Sequence, residues 1–309
     1  MSLLPLFVNS KYDVRSGWKF GAYSALLVVL FFVTGTALGM FVVWIDPLWL
    51  LMSRDDIRFL GLNAIVLFVP SVMALLLMAR FDRIPIAAFG VAMHERWLRD
   101  LSAGLAVSGG MLGLWLAGSF LFGTVTITWN GSAAAMPAIG LTLGVLFVSA
   151  LNEELVFRGY PLQVLMNGIG PWGAMLLVSS IFGLLHARND GATVLGVTNT
   201  ILAGIFLSLA FLVTRSLWLP YGIHAGWNVG TAAVLGVPVS GIETASLLKT
   251  DVSGPDSLLG GSYGPEGGVL TTLIFLAGAI VIRRVRIGRV SPQVRAALEA
   301  HADKVYIEG

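Results

Sequence analysis

The chain has 309 residues, 56% of them hydrophobic and only 12% charged, a balance far from that of a soluble domain of this size. It contains no cysteine, which excludes disulfides, thiolate metal sites and a cysteine nucleophile. A net charge of +2 gives no electrostatic case for binding nucleic acid.

Apolar runs of about 20 residues, the length of a membrane crossing, recur between charges, Pro and Gly. The pattern predicts eight: Trp18 to Ile45, Ile57 to Ala79, Leu98 to Phe122, Pro137 to at least Arg158, Pro171 to His186, Leu195 to Val213, Leu217 to Leu235 and Val269 to Ile282. The first run has no small-residue cleavage pattern, so no cleavable signal is expected. The predicted fold class is all-α, a polytopic membrane helix bundle of about eight transmembrane helices. It forms one membrane-embedded domain over 1–290 with a motif-bearing core at about 137–235. A short cytosolic tail, 291–309, opens with a helix at Ser291-Pro292. If both termini are inside, all 19 Lys and Arg except Arg54, Arg58, Arg188 and Lys249 fall on the inner side; Arg158 is counted there. The positive-inside rule then makes the N and C termini cytoplasmic.

Thr124 to Met136 and Pro238 to Gly268 read as irregular surface loops. Arg283 to Arg289 is a basic cluster, read first as a positive-inside stop signal and also suited to anionic headgroups. Small-xxx-small spacings at Gly35 and Gly39, Gly109 and Gly113, and Gly140 and Gly144 read as close helix packing.

Charges in hydrocarbon are costly and generally functional, which singles out Asn152 to Tyr160. Glu154 and Arg158 are four apart and share a helical face, so they can pair. Glu153, turned about 100° away, has no local cation. His186 ends the fifth predicted helix; alone it reads as an interfacial hydrogen-bonding residue. His224 and Asn228, again four apart, project from one face of the seventh, and alone read equally well as interhelical polar contacts. Together, a carboxylate, two imidazoles and a carboxamide on three helices are the parts for activating water and stabilising an oxyanion. Glu153, His186 and His224 would also serve as zinc ligands with one open position, although no HExxH helix is present. A divalent metal such as zinc is the one cofactor this set admits.

Depth constrains the arrangement. Were the fourth helix to end at Arg158, Glu153 would lie about 8 Å from the inner end and His186 about 22 Å from it. The conflict is removed if the helix bends at Gly159 and Pro161, where Pro deletes a backbone hydrogen bond, and continues to the Asn167-Gly168 turn. Glu153 is then expected near mid-membrane.

These three segments resemble, in order, the motifs of the CAAX prenyl protease and bacteriocin-processing (abortive-infection-type) family of intramembrane proteases. Its EExxxR is similar to Glu153, Glu154 and Arg158, its FxxxH to Phe182 and His186, and its HxxxN to His224 and Asn228. The resemblance covers about Val148 to Gly230. It implies a membrane endopeptidase in which Glu153, helped by His186, activates water, His224 and Asn228 support the oxyanion, and Glu154 with Arg158 holds the helix. It also implies membrane lipids and a peptide or membrane-protein substrate as partners. The composition is compatible with a bacterial inner membrane. Two other readings stand beside it: a non-catalytic binding or bacteriocin-immunity protein, and a transporter with Glu153 as an ion site, for which no inverted repeat is visible.

Overall fold

The computed structural model describes residues 7–8, 13–48, 57–285, 288–302 and 304–306. Lys11, Arg54, Arg286 and the side chain of Arg58, all counted in the charge asymmetry, lie outside the described part.

The described chain is helical, with one small sheet. In order it runs α1 (Ser16–Ile45), α2 (Ile57–Asp82), α3 (Trp97–Phe122), β1 (Thr124–Trp129), α4 (Met136–Glu154), α5 (Tyr160–Leu185), α6 (Val194–Thr214), α7 (Trp218–Asn228), β2 (Leu248–Ser253), the short α8 (Asp256–Leu259), α9 (Val269–Val285) and α10 (Pro292–Glu299). Five helical stretches are long and apolar enough to cross a membrane: Ser16–Ile45, Gly61–Asp82, Trp97–Phe122, Met136–Arg188 and Val194–Thr214. With these helices the chain is an integral membrane protein. Large apolar side chains such as Val28, Phe32, Leu121 and Leu184 point outward, as lipid requires.

The longest of these stretches contains two irregularities. After Glu154 the helix widens into a π-helical stretch, Leu155–Gly159. Gly159 then leaves helical geometry at ψ −117°, and Pro161 restarts the helix in its first turn. The bend expected at Gly159 to Pro161 is therefore present, and the chain continues as helix through Asn167. The reversal comes at Gly170, whose φ of +74° suits glycine, and Pro171 opens the return. Counting back from this break, Glu153 and His186 both lie about 22–24 Å along their helices, which removes the depth conflict.

The basic end is held by Asp82, which binds Lys19 Nζ at 2.8 Å and accepts from Tyr160 Oη at 2.8 Å, joining α1, α2 and α5. Lys304 Nζ donates to the Asp82 carbonyl, so the tail is bound here as well. Ser291 caps α10 by accepting from Val294 N at 3.1 Å, and Val294 and Leu298 bury against the bundle. At the other end, Asn199 donates to the carbonyls of Glu266 and Gly268, and Trp115 Nε1 donates to Leu259 O.

Three expectations are corrected. The two loops read as irregular contribute β1 and β2, which pair antiparallel with Thr124 opposite Ser253 and Trp129 opposite Leu248. Their partners are far apart in sequence, so no turn signal announces them. A Cβ at Gly39, Gly109, Gly113, Gly140 or Gly144 would meet nothing within 4 Å, and of the six glycines only Gly35 packs closely, against Val66 at 3.3 Å, so these spacings do not mark close packing as pairs. The close approach is between α3 and α7, where a Cβ on Gly104 would strike the Leu219 carbonyl and one on Gly222 the Leu101 carbonyl. Finally, Arg158, counted among the inner cations, is fully buried in the helical core.

Candidate active site

Each of the three motif helices delivers its polar residues to one cavity of about 260 Å³, lined among others by Glu153, His186, His224 and Asn228. Their positions follow from packing. Ser71 in α2 donates to Asn152 Oδ1 at 2.6 Å, fixing α4 one residue before Glu153. The glycine contact between α3 and α7 sets the height of His224. Immediately after Asn228, α7 also widens into a π-helical stretch, Val229–Leu235. The helices thus change register directly after the Glu153-Glu154 pair and directly after Asn228, a placement π-bulges favour at functional sites.

The two adjacent carboxylates have separate environments. Glu154 is fully buried, and its Oε1 accepts from Arg158 Nη1 at 3.0 Å and from His224 Nδ1 at 2.8 Å. Arg158 Nη2 donates to the Gly204 carbonyl at 3.1 Å, and its guanidinium lies 4.8 Å from the Phe182 ring centre. Glu153 has a side chain 28% exposed to the cavity, and its Oε2 stands 3.5 Å from His224 Nε2. That distance exceeds a good hydrogen bond. Because Nδ1–H of His224 is committed to Glu154, Nε2 is the nitrogen presented to Glu153 and the cavity.

His186 Nδ1 lies 2.8 Å from the Phe182 carbonyl, so that nitrogen carries the proton and Nε2 is left for other partners. The Phe182 ring packs 4.7 Å from His186, 6.1 Å from His224 and 5.2 Å from Phe157, measured between ring centres. It is the apolar post against which both imidazoles and Arg158 are set. Asn228 lines the cavity on the same face of α7 as His224. The seven motif residues therefore divide into five on the cavity, Glu153, Phe182, His186, His224 and Asn228, and two behind it, Glu154 and Arg158.

Residues 134–230 match the family described as Type II CAAX prenyl endopeptidase Rce1-like. The matched segment contains all seven motif residues, and the resemblance read from the motifs holds over it. Helices α1 to α3 and α9 lie outside the match. No curated protein and no solved structure matches the chain significantly. The Rce1-like family is a family of proteases, and the similarity therefore points to peptide-bond hydrolysis.

Glu153, His186 and His224 line one cavity but are not gathered into a cluster of ligands. Among the described residues, no group of three or more His, Asp or Glu side chains is close enough together to hold an ion. His224 and His186 each engage Nδ1 with a protein acceptor, which leaves Nε2 of each ring as the available nitrogen.

One acidic residue was missed from sequence. Glu266, in the turn before α9, read as a solvated loop charge, yet it is 4% exposed and lines the same cavity. Its Oε1 accepts from Trp227 Nε1 at 2.8 Å and its Oε2 from Ser240 N at 3.3 Å. Burial pushes its carboxyl up from the ordinary range, while these two donors pull the other way. The available signal was its setting in Gly264-Pro265-Glu266-Gly267-Gly268, a tight turn directly before an apolar helix.

Proposed function

We propose that the chain is an intramembrane endopeptidase that hydrolyses a peptide bond in a membrane-associated protein or peptide. The observation that carries this reading is the asymmetry of the glutamates: Glu154 is locked by Arg158 and His224, whereas Glu153 alone is open to the cavity. In this reading Glu153 takes a proton from water as its oxygen bonds to the scissile carbonyl carbon. His224 in its imidazolium form, with Nδ1–H held by Glu154, donates Nε2–H to the oxyanion together with the Asn228 amide, and His186 Nε2 helps orient the water. The proton then passes to the leaving nitrogen as the C–N bond breaks. Glu154 and Arg158 act by holding His224.

The cavity volume, about 260 Å³, accommodates a peptide bond and its flanking groups rather than a folded chain. A helical crossing count of eight, with both termini cytoplasmic, is part of the proposal. It takes α4 with 160–169 as one crossing, 171–185 as the next, α7 with its π-helical stretch as the seventh and α9 as the eighth. The supporting observation is that the tail, the start of α1 and the α2–α3 link meet at the basic end.

The test uses purified full-length protein with farnesylated and unmodified CAAX peptides and a mixed peptide pool. Cleavage of any of these that disappears in Glu153→Gln supports the reading, and the farnesyl comparison reports the substrate class. Cleavage that survives in Glu153→Gln and in His224→Ala overturns it.

A further inference from the structure

The basic end of the molecule encloses a second cavity of about 1090 Å³, between α5, α6, α9 and the tail helix α10. Arg96, Arg215, Arg283, Arg289 and Arg295 line it, and among the described residues no Asp or Glu does. Arg96 has the Glu95 carboxylate at 3.9 Å; the other four like charges around one space repel unless an anion joins them.

Arg215 gives the cavity a built interior. It is 2% exposed, and among the described residues its Nη1 has only a weak partner, Met166 Sδ at 3.9 Å, while Nε and Nη2 have none. Its guanidinium sits 5.7 Å from the Tyr306 ring centre. A buried guanidinium without an acceptor is costly. Burial lowers its pKa to about 10, with Tyr306 acting in the opposite direction, so it remains charged at neutral pH. Arg215 also holds the left-handed C-cap of α6, at φ 54°, a position where Gly or Asn is usual. The other wall is apolar: Leu209, Leu212 and Ile282 face the same space, and Arg283 lies over Trp172 at 5.8 Å.

Arginines alone would suit any oxyanion. Arginines at a membrane edge beside an aliphatic wall suit one that carries acyl chains. We infer that this cavity is a binding site for the phosphate headgroup of an anionic membrane lipid, with Arg215 as its deep donor and Arg289 and Arg295 closing over it from the tail. Such a lipid clamps α10 and the tail onto α5 and α6. This site is separate from the motif cavity and does not rest on the proteolytic reading.

The experiment titrates delipidated full-length protein in detergent with phosphatidylglycerol, with phosphatidylcholine of the same chains, and with inorganic phosphate, following bound lipid by native mass spectrometry and thermal stability. Phosphatidylglycerol is expected to bind at least about tenfold tighter than phosphatidylcholine and to raise the unfolding midpoint. Arg215→Gln should reduce that affinity by about tenfold. If that variant fails to fold, the exposed pair Arg289→Gln with Arg295→Gln should do the same, while Arg284→Gln, exposed and outside the cavity, should not. Equal binding of the two lipids, unchanged binding in the double variant, or a response to inorganic phosphate alone would overturn the lipid site.

Discussion

Adjacent carboxylates at 153 and 154 meet different surroundings because each helical residue turns about 100° from the last. One faces Arg158 and His224, the other the cavity. Glu154→Gln removes the anion between two donors and leaves Arg158 buried without its charge partner. The expected loss is about 3–5 kcal/mol of stability, read by thermal unfolding, together with loss of activity. The Glu266 carboxylate predicts a milder pattern. Glu266→Gln keeps an acceptor for Trp227 but turns a donor toward Ser240 N, for a cost of about 1–3 kcal/mol, and unchanged unfolding would show that its two contacts are not formed. The motif residues were legible because an ionised group in hydrocarbon needs a reason. Glu266 was not, because a carboxylate in a glycine-rich loop looks solvated until its burial is seen.

Helix pairs place these side chains, and the decisive pair is α3 with α7. Gly222 lies against the Leu101 carbonyl, a rigid backbone atom that cannot move aside for a methyl group. Gly222→Val should therefore cost at least about 1–3 kcal/mol and shift His224. Measured together, hydrolysis should fall further than the unfolding midpoint suggests; full activity in the variant would contradict this placement. Helix lengths, the bend at Gly159 to Pro161 and the Ser291 cap were readable from apolar runs, Pro and capping chemistry. The close contacts were not. A small-xxx-small spacing defines a face of one helix but says nothing of what that face meets, and Gly109 and Gly113 face open space while Gly104 and Gly222 touch backbone.

Across the whole molecule, the loops and links sort to two ends. At one end, β1 and β2 join segments separated by four helices, and a chain without cysteine allows this to be tested directly. Val125 stands opposite Val252, and opposed antiparallel residues have the separation a disulfide spans. Val125→Cys with Val252→Cys should crosslink on oxidation and change mobility on a denaturing gel, whereas Val125→Cys with Thr244→Cys should not. At the other end, His94 Nδ1 accepts from Arg96 N, so Nε2–H faces Ser216 Oγ at 3.1 Å, with Asp100 Oδ2 at 3.5 Å. Burial, with Arg96, lowers its pKa below 6.5 against the opposing field of Glu95. The unfolded chain then takes up the proton first, so this contribution is complete above about pH 6.5 and is lost as pH falls through the folded pKa. Wild-type unfolding midpoints should fall across that window more steeply than those of His94→Gln, and equal slopes would contradict the assignment. The strand pairing was the least legible part of the fold, since Thr124 to Trp129 alternates over too few residues to name a distant partner.

The central claim is that Glu153 is the open, reactive carboxylate while its neighbour is structural, and the direct measurement compares Glu153→Gln with wild type in peptide cleavage and thermal unfolding. Among the described residues Glu153 makes one ion-pair contact, a long one to His224 at 3.5 Å, so its replacement should leave the unfolding midpoint near that of wild type while cleavage falls by about 10²–10⁴-fold. Cleavage retained at the wild-type rate in a folded Glu153→Gln protein would contradict the account.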